Sequence, residues 1–265
     1  MQYNLYLIHA LTNTHVGSGD ANYGIIDNLV QRDVVHNLPT IHSSGIKGAV
    51  REHFNQKLGA DYTNEVFGSE PGASVSRPGT FHFFDGHLLS FPVRSNKHPY
   101  FNATAPFIIK DMLKRAEDFD ITLANKTVLE ELSNITFTGN NKAAVFNDAY
   151  KGAILEEHEL KAEEVSTLNI SPLKDLLGGG NLVLIEDNTF KAMLNTLPVI
   201  ARNYLDNGIS KNLWYEEIVP HQTRFYTFIA KSTNATTDLL IDKQTIQIGG
   251  NATIGYGFCK FTAQN

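Results

Sequence analysis

Residues 2–12 are apolar on both sides of a two-residue repeat, with Tyr3, Leu5, Leu7, His9 and Leu11 on one side and Tyr6, Ile8 and Ala10 on the other. Such a segment reads as a strand buried on both faces, so the first element belongs inside the fold. With 265 residues, 42% of them hydrophobic and 19% charged, the chain can bury that core as one large domain with insertions.

The order of later signals narrows the class. LPTIH at 38–42 is a short strand, and Ser43 or Ser44 is placed to cap the helix that follows, IKGAVREHFNQKL. Ile46, Val50, Phe54 and Leu58 recur there at helical spacing, Lys47 and Arg51 share one face, and Gly59 is the expected stop. Residues 68–79 are dense in turn formers and read as a mobile loop ahead of a strand pair in TFHFFDGHLLSFPV, with Asp85-Gly86 as the turn. A second helix is expected at 106–118, opened by Pro106, and a last one at 188–196. Between them, 120–185 reads as an insertion or extended hairpin region, with short strands at 143–158 and a glycine triplet at 178–180. PVIARNYLD, LWYEEIVP, RFYTFIAK, DKQTIQIG and TIGYGFCKF form a β-rich tail. The pattern is α+β, closer to a ferredoxin-like sheet with additions than to a doubly wound parallel sheet.

Charge and cysteine usage limit the partners. The net charge of −6 counts against a free-standing nucleic-acid binder. Locally the sum misleads, because the four cations and four acids of the first sixty residues cancel. EEHELKAEE at 156–164 reads as a solvated acidic face. The single cysteine, Cys259, lies in the apolar run GFCKF and points to a reducing compartment. The start lacks the marks of a signal peptide and no apolar run has bilayer length, so a cytoplasmic protein without membrane contact is expected.

Two glycine motifs stand out. THVGSG at 14–19 leaves the first strand through Gly17 and Gly19, and Asp27 follows in GIIDNLVQRD. GGNATIGYG at 249–257 packs four glycines into nine positions. Glycine lets backbone amides approach a ligand, so this loop suits a phosphate or a plain hairpin turn; it fits neither a P-loop nor a dinucleotide fingerprint. Taken alone, an aspartate such as Asp27 more commonly satisfies loop amides in an Asx turn, and Lys47 and Arg51 a solvated helix face. Zinc spacing and a G-x-S-x-G elbow are absent, and each scattered histidine is more often packed than catalytic.

The blocks THVGSG, GIIDNLVQRD, LPTIHSSGIKGAVRE, HFFDGHLLSFPVRS, LPVIARNYLD with LWYEE, and IGGNATIGYGF occur in one order. In that order the chain resembles the RAMP-superfamily backbone subunit of type III-B CRISPR effector complexes, from near residue 5 to near residue 262. The resemblance implies a single domain: a modified ferredoxin-like or RRM-like palm at about 1–119 and 187–265, with a variable insertion and thumb hairpin at about 120–186. It also implies that copies stack as a filament along a CRISPR guide RNA beside other effector subunits, their thumbs distorting the guide–target duplex. Asp27 matches the carboxylate needed to cut the target RNA, as a ligand of Mg²⁺ (or Mn²⁺) or as a base for the 2′-hydroxyl. Ser43, Ser44, Lys47 and Arg51 match the helix start that holds the guide backbone, as would Gly249, Gly250, Asn251, Gly255 and Gly257. His15, Gly17, Ser18, Gly19, Arg32 and His36 are further RNA-binding candidates. A non-catalytic guide-RNA scaffold and the related type III-A subunit are the competing readings. Arg94 and Lys97 lie in a segment that aligns loosely. Glu216 and Glu217 either reach a neighbouring copy's cleavage site or point to opposite faces of one strand, the second being preferred.

Overall fold

The computed structural model describes residues 1–19, 24–70, 72–155 and 160–264. Along the chain run β1 (Gln2–Ala10), α1 (Ser43–Phe67), β2 (Gly86–Arg94), β3 (Tyr100–Thr104), α2 (Pro106–Asp118), α3 (Lys126–Ser133) and β4 (Ala143–Val145). Then follow β5 (Leu182–Ile185), α4 (Asp187–Met193), β6 (Val199–Asp206), β7 (Ile209–Glu217), β8 (Arg224–Lys231), β9 (Thr245–Gln247) and β10 (Phe258–Ala263).

Buried on both faces, β1 sits inside the sheet, as its composition requires. It pairs antiparallel with β8 from Gln2↔Lys231 to His9↔Arg224 and with β10 from Tyr6↔Ala263 to Ala10↔Cys259. Among the described residues the main sheet has 11 strands, in the order β9-β10-β1-β8-β2-β3-β5-β4 and then Glu164–Val165. Thr40–Ile41 lies beside β2, and Phe81–Phe83 beside β8. β8 can stand at its centre because Phe225 through Ala230 are all buried. α2 turns Ile108, Ile109, Met112 and Ala116 into the same core.

Residues 81–94 do not form a hairpin. Phe81–Phe83 pairs with Ile229–Lys231, while Leu88 and His87 pair with Phe225 and Tyr226, so both pieces run along β8 in one direction. The N–H of Phe84 donates to the Phe228 carbonyl at 3.2 Å across the gap, which makes this one interrupted strand. Asp85, expected as a turn residue, instead accepts the Ser43 N–H at 2.6 Å and so caps α1 from outside. Neither Ser43 nor Ser44 caps the helix: the cap position is His42, in extended backbone and without a side-chain cap bond. Gly59 kinks α1 at φ 81° rather than ending it, leaving Leu58 exposed, and the helix resumes to bury Thr63, Val66 and Phe67. The loop at 68–79 is closed at its neck, where the N–H of Ser69 donates to the Arg77 carbonyl at 3.0 Å.

Residues 120–186 supply core and also an antiparallel pair, Ala153–Leu155 with Leu160–Ala162, as a separate two-stranded sheet. β3 and β5 pair in parallel, so the chain between them must cross over. On the way Leu129, Leu132, Val145, Leu155, Leu173 and Leu177 are buried. Residues 156–159 of the acidic run lie outside the described ones, and in Leu160–Ala162 both Leu160 and Ala162 are buried. The exposed hairpin is β6–β7, which pairs from Val199↔Glu217 to Asp206↔Ile209 as its own two-stranded sheet. Asn207 and Gly208, at φ 50° and 78°, make its turn. Tyr204, Leu205, Ile209 and Leu213 are exposed on it.

Candidate functional site

Beyond β1 the chain does not simply loop. Gly17 bridges Val30, the N–H of Ser18 donates to the Leu29 carbonyl at 2.9 Å, and the N–H of Gln31 to the Val16 carbonyl at 2.8 Å. On its other side this segment meets the end of β7, where Asn28 bridges Glu216 and the N–H of Glu217 reaches the Asn28 carbonyl at 2.9 Å. Asp27 stands at the edge of this junction, exposed. Its N–H donates to the Tyr215 carbonyl at 3.1 Å and its Oδ2 accepts the Tyr215 N–H at 2.8 Å. The carboxylate therefore caps an amide of the hairpin base.

His15 is buried behind this junction. Its Nδ1 lies 2.7 Å from the Glu217 carbonyl, and because a carbonyl only accepts, Nδ1 carries the proton. The glycine loop closes over it from β9–β10. A Cβ on Gly249, at φ 85°, would stand 2.3 Å from the His15 carbonyl oxygen, and one on Gly257, at φ 79°, would stand 2.0 Å from that of Ile248. Both glycines are thus required by the protein's own packing. Gly250 donates to the His15 carbonyl at 2.9 Å and, with Gly255, leaves exposed backbone on the outer side.

Two carboxylates at the hairpin base are spent inside the protein, and they point opposite ways. Glu217 accepts Arg32 Nη2 at 2.8 Å on Oε1 and the Val30 N–H at 3.2 Å on Oε2. Glu216 accepts Trp214 Nε1 at 3.0 Å on Oε1, and Arg202 Nε and Asn251 Nδ2 each at 2.9 Å on Oε2. Burial alone would raise the Glu216 pKa, but hydrogen bonds from Trp214 and Arg202 and the Arg202 charge outweigh it and hold it below the usual carboxylate range. Arg202 also lies 4.5 Å from the Tyr256 ring centroid. Of the residues around Glu216, Asn251 is already a guide-contact candidate in the sequence, whereas Arg202 and Tyr256 carry no signal there and lie 54 positions apart.

The remaining candidates divide. Gln31 ties the tip of α1 to the junction, donating from Nε2 to the Gly17 carbonyl at 3.2 Å and accepting the His42 N–H at 2.8 Å. Ser43 and Ser44 therefore stand near Gly17, Ser18 and the exposed Gly19, and half-buried Lys47 follows one turn on. Arg32 is held by the carbonyls of Asn37 and Leu194 as well as by Glu217. Arg51 is turned away, donating to the Gly68 carbonyl at 2.9 Å. His36 packs edge-on against Phe107 at 5.6 Å. Among the described residues no three acidic, histidine or cysteine side chains gather as a group that could hold a metal ion. No described helix is long and apolar enough to cross a membrane.

The arrangement thus sets one exposed carboxylate between a backbone-lined surface and the base of an apolar hairpin. The CRISPR system Cmr endoribonuclease Cmr4 of Pyrococcus furiosus is 28% identical to the chain over 283 residues, covering 96% of this chain and 93% of that protein. A chain of the type III-B Cmr-beta structure bound to cognate target RNA superposes with a TM-score of 0.83 at 24% identity, over 99% of this chain and 97% of that one. The crystal structure of oligomeric Cmr4 from Pyrococcus furiosus gives 0.72 at 23%, over 99% and 98%. The family model of the RAMP superfamily matches residues 7–260, and the chain belongs to that superfamily.

Proposed function

We propose that this chain is a backbone subunit of a type III-B CRISPR effector complex, copies of which lie along a guide RNA and cut the paired target RNA. What carries the reading is Asp27, an exposed carboxylate fixed to the base of an exposed apolar hairpin. Likeness to the Cmr endoribonuclease over nearly the whole chain supports it. In this reading the main sheet is the ferredoxin-like palm and β6–β7 the thumb. The glycine loop, residues 17–19 and the tip of α1 hold the guide backbone through main-chain N–H groups and Lys47. The target strand passes the hairpin, where the apolar side chains unstack it next to Asp27.

Cutting forms a bond from a ribose 2′-oxygen to the adjacent phosphorus and breaks the bond from phosphorus to the 5′-oxygen. The products are a 2′,3′-cyclic phosphate and a 5′-hydroxyl, the leaving 5′-oxygen taking its proton from water. A splayed nucleotide lets the 2′-oxygen line up with the leaving oxygen, so positioning is the main contribution. Asp27 either takes the 2′-hydroxyl proton or would be the residue that holds a divalent cation at the cleaved phosphate. Mg²⁺ or Mn²⁺ bound in that way would stabilise the negative charge that builds on the phosphate. One carboxylate fits such a site and not a cage built from protein alone.

The assembly is tested by mixing the chain with its partner subunits and guide RNAs of increasing length. The number of copies is expected to rise stepwise with guide length, and complementary RNA to be cut at a constant spacing. A chain that stays monomeric and free of RNA at every guide length would contradict the reading. With a net charge of −6, non-specific RNA uptake is expected to be weak, which sharpens the contrast.

A further inference from the structure

We infer that Glu216 is a positioning residue for the cut: through its buried carboxylate the glycine loop sets where Asp27 stands. The inference rests on the role proposed for Asp27. Among the described residues, the backbone hydrogen bonds of Asp27 and Asn28 go to residues 215–217: both N–H groups donate to the Tyr215 carbonyl at 3.1 Å, Asp27 Oδ2 accepts the Tyr215 N–H, and the Asn28 carbonyl accepts from Glu217. The main chain at 216 bridges Asn28. Whatever shifts the end of β7 therefore moves Asp27 with it.

The Glu216 side chain fixes that end of β7 to three places at once. Arg202 comes from the facing strand β6, Trp214 from β7 itself, and Asn251 from the glycine loop. Asn251 is held at φ 63°, and its amide is turned inward to Glu216. Arg202 adds a second link to the same loop through the Tyr256 ring. The surface proposed to carry the guide and the acid proposed to cut the target are thus joined through the Glu216 carboxylate, which touches neither strand, beside a second path that runs from Gly250 through His15 to the Glu217 carbonyl. All three side-chain partners of Glu216 are N–H donors, so a neutral amide in its place would turn an NH₂ toward at least one of them. A misplacement of about 1 Å at a reacting group costs about 10²-fold in rate.

The test uses reconstituted complexes with Asp27 intact and reads three quantities: guide RNA retained, target affinity, and cutting rate at saturating target. Glu216→Gln is expected to lower the cutting rate by about 10²-fold while guide retention and target affinity hold. Combining it with Asn251→Asp puts an acceptor on the loop to face the new amide, and is expected to recover at least about tenfold of that loss. Asn251→Gly keeps the left-handed backbone and removes only the loop's hydrogen bond. It tests the same link should Glu216→Gln fail to assemble, with cutting expected to fall by a larger factor than guide retention does. Unchanged cutting in Glu216→Gln, or loss of cutting only in step with loss of guide RNA in these variants, would overturn the inference. Asp27→Ala, run beside them, separates the two failures: if it cuts normally, the reading of Asp27 is lost, and if it alone is silent, only the role of Glu216 is.

Discussion

Asp27→Ala is expected to lower target-RNA cutting by about 10²–10⁴-fold while leaving guide RNA and copy number unchanged, the range that a positioned proton-transfer group supplies. The side chain is exposed, and its bond to the Tyr215 N–H is worth about 1 kcal/mol, too little to disturb assembly. Asp27→Asn separates charge from geometry. It keeps an oxygen for the Tyr215 N–H and loses the negative charge, so it should fail as badly as alanine if the carboxylate acts as base or metal ligand. Full activity in the asparagine variant would reduce Asp27 to a cap on the hairpin. Cutting by Asp27→Ala at the normal rate would leave the chain a scaffold for RNA, with the chemistry elsewhere.

A second large effect is expected on stability. Glu217 is 3% exposed, and its carboxylate holds both Arg32 and the Val30 N–H. Glu217→Ala leaves a charged guanidinium short of its anion and a buried amide without an acceptor, at a cost of about 3 kcal/mol. For a chain of this size that lowers Tm by roughly 6–12 °C. The comparison is Glu70→Ala, which breaks an exposed contact with Arg51 at 3.8 Å and should shift Tm by a degree or two at most. Equal small shifts in both variants would mean that the Arg32–Glu217 pair does not hold the junction together.

What could be read from the sequence was whatever is decided locally. β1 shows both its faces in an eleven-residue window, and α2 shows its buried stripe within thirteen residues. Asp27 and the glycine loop were visible because a carboxylate after a glycine turn and four close glycines are unusual side by side. Pairings that close over long separations were not visible. Asp85-Gly86 looked like a hairpin turn, yet both flanking pieces pair with β8, nearly 140 residues later. Arg32 and Arg51 counted as cations available for RNA, and only the fold reveals Glu217 185 positions from the first and Gly68 17 from the second.

The exposed hairpin was missed for a different reason. PVIARNYLD and LWYEEIVP were placed only in a β-rich tail, yet Tyr204, Leu205, Ile209 and Leu213 are exposed on the hairpin. A signal was nonetheless present. Asn207-Gly208 between two strand-forming runs is a strong short-range mark of a two-residue hairpin, and it marks this one. Residues 120–186 proved to be the crossover that a parallel β3–β5 pair demands.

The central claim is one of placement: the guide lies on the glycine loop and the tip of α1, and the target passes Asp27 at the base of β6–β7. A cryo-EM structure of the assembled complex, with a target RNA whose 2′-hydroxyls are replaced by hydrogen so that it cannot be cut, measures this directly. The account predicts Asp27 facing the phosphate between two unstacked target nucleotides, with the guide on Gly250, Gly255 and Lys47. Target RNA passing on another side of the hairpin, with Asp27 touching only Tyr215, would contradict it.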